Sequence, residues 1–173
     1  IKEKAMMDSL TGLYNRSYFQ EKVEKIWEAG HAGALFMIDL DNFKSINDRF
    51  GHIMGDRVLR LLAETLREQT GEDDVIGRIG GDEFILFYTD LTDQDALAEK
   101  ANNILDSMQR KLKEIKHQDI TSVSIGIALY PKHGNKFEKI FKNTDHALYY
   151  VKENGKNDFH FYARQGHRKK EQD

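Results

Sequence analysis

The hydrophobic positions of this chain change period from segment to segment, and the changes mark out its elements. Phe19, Val23, Ile26 and Trp27 repeat at helical spacing and predict a helix over 18–27. Residues 34–38 are continuously apolar, the pattern of a strand buried on both faces, and they run into Asp39-Leu40-Asp41. Met54, Val58, Leu61, Leu62 and Leu66 predict a second amphipathic helix. Residues 74–79 and 82–88 read as two strands, and Gly80-Gly81 between them predicts a hairpin with a two-residue primed turn. Leu97, Ala101, Ile104, Leu105, Met108 and Leu112 mark a long third helix. Val123, Ile125, Ile127 and Leu129 alternate with Ser124, Gly126 and Ala128, as in a strand with one close-packed face. Phe137, Ile140, Phe141, Leu148 and Val151 predict a fourth helix, and 159–162 a last edge strand.

From residue 34 onward the predicted order is β-α-β-β-α-β, followed by an extra helix and a short edge strand. That order predicts an α+β fold, a ferredoxin-like sandwich of helices on a mainly antiparallel sheet. In such a sheet the first strand and the hairpin can be neighbours, which would put Asp39 and Asp41 beside the Gly-Gly turn.

Composition narrows the classes. The chain has 173 residues, 39% of them hydrophobic, with ten Phe and seven Tyr, which suits one folded domain rather than a disordered segment. No apolar run approaches the roughly 18 residues of a membrane span. There is no Cys, which excludes disulfides, thiolate catalysis and Cys-based zinc sites. The net charge of −3 provides no overall basic field, so no nucleic-acid partner is expected. The chain begins at Ile1, without a signal-peptide pattern, and reads as a piece of a longer protein. Its expected layout is the end of an upstream linker helix over 1–7, a domain over 8–162, and a polar tail over 163–173.

Two acidic clusters carry the candidate chemistry. Asp39 and Asp41 are two residues apart on or beside a strand and so share a side. Asp82 and Glu83 follow the Gly-Gly turn directly. Crowded carboxylates raise one another's pKa, and a hard divalent cation relieves that repulsion. Mg²⁺ in particular favours a few carboxylates together with phosphate oxygens. Other readings stay open: Asp41 as the cap of a helix beginning near Asn42, and Glu83 as a cross-strand partner of Arg78. A turn into a short helix after Asp41 would offer free backbone N–H groups to phosphate. Asn47 and Asp56 carry hydrogen-bonding groups complementary to guanine, with His52 between them. Asn47 as a helix-end residue and His52 as a turn histidine are the plainer alternatives.

Gly80-Gly81-Asp82-Glu83-Phe84 reads GGDEF, and the chain as a whole resembles the GGDEF family, the diguanylate cyclases. The resemblance runs from about Asp8 to Tyr162. It includes Asp8-Ser9-Leu10-Thr11-Gly12-Leu13-Tyr14-Asn15-Arg16, which is similar to the family's entry motif D-x-L-T-G-L-x-N-R. It continues through Asp39-Leu40-Asp41-Asn42-Phe43-Lys44, Asn47-Asp48, Phe50-Gly51-His52 and Gly55-Asp56. It ends with Ser124-Ile125-Gly126-Ile127-Ala128, Ala147-Leu148-Tyr149-Tyr150-Val151-Lys152 and Gly155-Lys156-Asn157.

The resemblance implies a nucleotidyl cyclase-like fold and the condensation of two GTP into cyclic di-GMP and two pyrophosphates across a homodimer. It implies Mg²⁺ or Mn²⁺ held by Asp39, the Leu40 carbonyl and Asp82, with Asp82 and Glu83 sharing metal binding and proton removal. Asn47 and Asp56 become the guanine readers, with His52 beside the nucleoside. The backbone of Asn42 and Phe43 becomes a phosphate cradle with Lys44 and Lys152, and Lys156 stands where many members carry Arg. A cytoplasmic domain controlled by an upstream sensor is implied, with any membrane anchor in missing regions. The alternative function is a non-cycling GTP-binding regulatory module. One departure concerns regulation: the family's inhibitory RxxD tetrad is here Gly71-Glu72-Asp73-Asp74, without its Arg.

Overall fold

The computed structural model describes residues 6–115 and 121–163. Helix α1 (Arg16–Glu28) is followed by strand β1 (Gly33–Leu40), a short helix α2 (Phe43–Phe50) and helix α3 (His52–Glu68). The hairpin strands β2 (Val75–Arg78) and β3 (Glu83–Thr89) come next, then helix α4 (Gln94–Lys113) and strand β4 (Val123–Tyr130). Helix α5 (Phe137–Glu153) and strand β5 (Phe159–Phe161) complete the order. Each predicted element from residue 18 onward is present. The expected linker over 1–7 and tail over 163–173 fall largely outside the described residues.

The strands form one sheet in the order β2-β3-β1-β4-β5. β1 is antiparallel to both β3 and β4, and the three-residue edge strand β5 runs parallel to β4. The four strands β4-β1-β3-β2 with α3 and α4 are the expected β-α-β-β-α-β unit. Sequence alternation decides which face each side chain meets. Ala34, Phe36, Ile38 and Leu40 pack with Val58, Leu62, Leu97 and Ile104 of α3 and α4. Leu35 packs with Phe19 and Val23 of α1 and with Phe137 and Ile140 of α5 on the opposite face. Both faces are therefore covered, which is why β1 is apolar at every position before Asp39. By the same alternation Asp39 faces the layer that holds α5.

That layer lies very close to β4. A Cβ built on Gly126 would fall 2.3 Å from the Leu148 amide nitrogen and 2.4 Å from the Thr144 carbonyl oxygen. The absent side chain lets the α5 backbone rest on the sheet, which brings Lys152 near the end of the helix over the end of β1.

The hairpin differs from expectation. β2 and β3 pair Arg78 with Phe84, and the Ile79 N–H donates to the Glu83 carbonyl at 2.9 Å. The connection is thus the three residues Gly80-Gly81-Asp82, one more than a two-residue turn holds. Because side chains alternate along a strand, this one-residue change moves Glu83 out of register with Arg78. The cross-strand partner that Glu83 does have is Asp39 on β1.

Candidate active site

The site lies where the end of β1, the hairpin turn and the end of α5 meet. Asp39 pairs across the ladder with Glu83 on one side and Ser124 on the other. The Leu40 N–H donates to the Asp82 carbonyl at 3.3 Å, tying the turn to β1. Asp39, Asp82 and Glu83 therefore share one edge of the sheet.

Lys152 reaches in from α5, with its Nζ 3.2 Å from Asp39 Oδ2 and 2.6 Å from Asp41 Oδ1. Burial alone would lower the Lys152 pKa, but the two carboxylates outweigh it and hold the ammonium charged. Burial pushes Asp39 up, Lys152 pulls it down, and the neighbouring Asp82 pushes it up again, leaving it at about 7. Burial also raises Glu83, helped by Asp82 and Asp145 and opposed by Arg16 and Lys152.

A divalent cation fits this arrangement. Asp39 Oδ1 is buried and has no hydrogen-bond partner among the described residues. A buried carboxylate oxygen left that way is costly unless a cation or donor meets it. Among the described residues no three His, Asp, Glu or Cys side chains converge as a metal cage. What this edge offers instead is a pair of neighbouring carboxylates, Asp39 and Asp82. That set suits Mg²⁺, which keeps several waters and takes substrate phosphates as further ligands.

Asp41 does not do what its position beside Asn42 suggested. The residue at the start of α2 is Asn42, and among the described residues no side-chain hydrogen bond caps that helix. Asp41 is 2% exposed and accepts from Ser122 Oγ at 2.5 Å, Ser124 Oγ at 2.7 Å, Lys152 Nζ at 2.6 Å and the Asn157 N–H at 3.2 Å. Burial would raise it, but those bonds outweigh burial and hold it below the usual carboxylate range. Asn42 has φ 57°, a left-handed conformation that Asn tolerates better than most side chains. Its Oδ1 accepts from Lys156 Nζ at 3.0 Å. The uncapped start of α2, with Phe43 and Lys44, thus lies beside Lys156, as a phosphate cradle requires.

Asn47 and Gly55 face one another between α2 and α3. Asn47 Oδ1 is buried and without a hydrogen-bond partner among the described residues. Asp56, half-buried, follows Gly55 on α3. Lys44 and His52 are exposed near the starts of α2 and α3. Among the described residues no side-chain bond ties either of them to the rest of the site.

The sequence reading did not anticipate one clamp. Arg78 pairs with Asp8, Nη1 to Oδ1 at 3.1 Å, rather than with Glu83. The same guanidinium donates from Nη2 to the Gly81 carbonyl at 2.7 Å and from Nε to the Gly80 carbonyl at 3.1 Å. Asp8 in turn accepts from the Thr11 N–H at 2.8 Å and its hydroxyl at 2.6 Å. The entry motif is therefore fastened to the turn that carries Asp82. The spacing of Asp8 and Thr11 was visible in sequence, but the arginine that pairs with Asp8 is 70 residues away.

Comparison with known proteins bears on the family and the fold. The family model described as "Diguanylate cyclase, GGDEF domain" matches residues 5–158. The chain belongs to the GGDEF family. It is 36% identical over 173 residues to the cyclic di-GMP phosphodiesterase NbdA of Pseudomonas aeruginosa, covering 95% of this chain and 22% of that protein. It is 38% identical over 154 residues to the diguanylate cyclase TpbB of the same species, covering 86% of this chain and 35% of that one. The chain thus spans about a fifth to a third of the curated relatives it matches. A structure of TpbB comprising only its GGDEF domain superposes with a TM-score of 0.82 at 34% identity, covering 96% of this chain and 99% of that one. The GGDEF domain of DgcB from Caulobacter crescentus, solved in complex with c-di-GMP, gives 0.78 at 26% identity, covering 91% of this chain and 93% of that one. The sandwich is thus the GGDEF fold. Among the described residues no helix is long and apolar enough to cross a membrane.

Proposed function

We propose that this chain is a diguanylate cyclase domain that binds GTP and, as a homodimer, condenses two GTP into cyclic di-GMP and two pyrophosphates. The observation that carries the proposal is the buried Asp39 oxygen, without a hydrogen-bond partner among the described residues, beside Asp82 and the charged Lys152. A structural ion pair would need no such orphan.

In this reading Asn47 and Asp56 hold the guanine edge, with His52 beside the nucleoside. Lys152, Lys156, Lys44 and the α2 amides of Asn42 and Phe43 hold the triphosphate, where compact ammonium charges suit phosphate oxygens. Asp39, the Leu40 carbonyl and Asp82 would hold Mg²⁺ or Mn²⁺, which when bound neutralises triphosphate charge and activates the 3′-oxygen. Glu83 takes the 3′-hydroxyl proton as that oxygen bonds to the α-phosphorus of the other GTP. The bond from that phosphorus to pyrophosphate breaks in the same displacement. Two such displacements close the ring. One domain offers one guanine pocket, so the second GTP comes from a facing copy.

A second reading has a specific observation behind it. Relatives such as NbdA are named as phosphodiesterases, and this domain covers 22% of that protein. In this second reading the domain binds GTP and reports it to a partner domain without cyclising it. Chromatography of nucleotides after incubation with GTP and Mg²⁺, with Asp82→Ala alongside, separates the two. Cyclic di-GMP from the parent alone supports the cyclase. GTP binding by a dimeric chain that releases no product supports the regulatory module.

A further inference from the structure

Given the reading of Lys152 and Lys156 as phosphate contacts, we infer that Asp41 is the positioning residue of the phosphate cradle and sets where both lysines stand. Asp39 and Asp41 lie two residues apart and touch the same ammonium, yet their surroundings are opposite. Asp39 has one oxygen without a partner among the described residues. Asp41 has none to spare: Oδ1 accepts from Ser124 Oγ and Lys152 Nζ, and Oδ2 accepts from Ser122 Oγ and the Asn157 N–H. A carboxylate oxygen carries two lone-pair directions, so both are used at each oxygen. Asp41 is therefore not a cation ligand, although it belongs to the same acidic cluster.

What Asp41 holds is the base of the cradle. The Lys152 ammonium lies closer to Asp41, at 2.6 Å, than to Asp39, at 3.2 Å. Without Asp41 the nearest anion to Lys152 would be Asp39, and the ammonium would be drawn onto the cation site and away from phosphate.

The second lysine depends on the same carboxylate through the backbone. Lys156 and Asn157 have φ of 59° and 50°, two successive left-handed residues, a conformation that Asn tolerates and Lys rarely adopts. The Asn157 N–H is held by Asp41 Oδ2 and by Ser124 Oγ, both at 3.2 Å. The same turn sends Lys156 Nζ to Asn42 Oδ1 at 3.0 Å. Ser124 thus belongs to the bracket, and its hydroxyl at an inward position of β4 is otherwise unexplained in an apolar strand. Asp41 itself is anchored by its N–H on the Ser122 carbonyl at 2.9 Å and by Thr121 Oγ1 donating to its own carbonyl at 2.5 Å.

The test compares two probes with Mg²⁺ present: guanosine 5′-(α,β-methylene)triphosphate, which cannot release pyrophosphate, and guanosine. Asp41→Asn is expected to weaken the triphosphate about tenfold or more and guanosine less than about twofold, as for loss of a charged hydrogen bond near phosphate. In a Lys152→Ala background the effect of Asp41→Asn should shrink at least about threefold, because much of its action runs through that lysine. Equal losses for the two probes, no loss for the triphosphate, or an undiminished effect in the Lys152→Ala background each overturn the inference. If Lys152→Ala alone leaves triphosphate affinity unchanged, the cradle reading fails first and this inference falls with it. Should Asp41→Asn not fold, Ser124→Ala serves in its place. A smaller loss confined to the triphosphate supports the inference, and unchanged affinity overturns it.

Discussion

Gly55 lies so close to Asn47 that a Cβ built on it would fall 2.0 Å from the Asn47 Oδ1. Phe43 closes the same space, 3.2 Å from that Cβ. Glycine in the interior of α3 costs about 0.5–1 kcal/mol relative to alanine, so its presence there needs a local reason. The reason is the Asn47 amide. Gly55→Ala should leave thermal stability within a few degrees, since gained helix propensity offsets strain. It should weaken GTP binding about tenfold by turning Asn47 out of place, the order expected for losing a hydrogen bond to the base. Titration of GTP into the variant checks this, and unchanged affinity would mean Asn47 does not read the base.

Burial and the neighbouring Asp82 raise the Asp39 carboxyl to about 7 against the pull of Lys152, so its charged form is held at a cost. Asp39→Asn removes a buried charge repelled by Asp82, so metal-free thermal stability should stay level or rise. The Mg²⁺-dependent rise in melting temperature should disappear, and product formation should fall at least about a hundredfold. A variant that still gains stability from Mg²⁺ as the parent does would place the cation elsewhere.

The Asp8–Arg78 pair predicts a pH dependence. Burial would raise Asp8, but its bonds from Thr11 and Arg78 outweigh burial and hold it below the ordinary value. An unfolded Asp titrates near about 3.9, above the folded value. Its stabilisation is therefore fully present above that pH and is lost as pH falls through the folded value. Asp8→Asn should cost on the order of 1–2 kcal/mol at pH 7, the range for a charged hydrogen bond with partial exposure. The gap to the parent should close below about pH 4. Urea unfolding across that range measures it, and a gap that stays constant would show that charge is not what stabilises the pair.

Product inhibition is expected to be weak. Asp74 is present, but Gly71 stands where the family's tetrad has Arg. The Asp74 carboxylate already accepts from the Gly71 N–H at 2.8 Å and the Thr89 N–H at 3.0 Å. Calorimetry with cyclic di-GMP should show binding no tighter than micromolar. A sub-micromolar isotherm abolished by Asp74→Ala would contradict this.

Periodicity found the strands and helices from residue 18 onward because both faces of the sheet are covered and each face imposes its own spacing on the chain. It failed where one residue of turn length decides the outcome. Gly80-Gly81 suits a two-residue turn by composition, but the hairpin closes on Ile79 and Glu83 and includes Asp82. That shift separates Arg78 from Glu83 and gives Arg78 to Asp8. The carboxylates of the candidate site were visible as residues, and the resemblance set Asp39 apart as a metal ligand, whereas the role of Asp41 was not visible. It depends on Ser122, Ser124 and Asn157, which come from distant segments. A serine at a buried strand position is the only local sign of them.

Two copies of this domain held face to face are expected to cyclise GTP. The most direct measurement fuses a dimerising coiled coil to the N-terminus, supplies GTP and Mg²⁺, and separates the products by chromatography. Forced proximity removes dimerisation as the limiting step. The parent should release cyclic di-GMP and pyrophosphate in a ratio of about one to two, and Asp82→Ala should release neither. A forced dimer that binds GTP and yields no cyclic di-GMP would contradict the cyclase assignment.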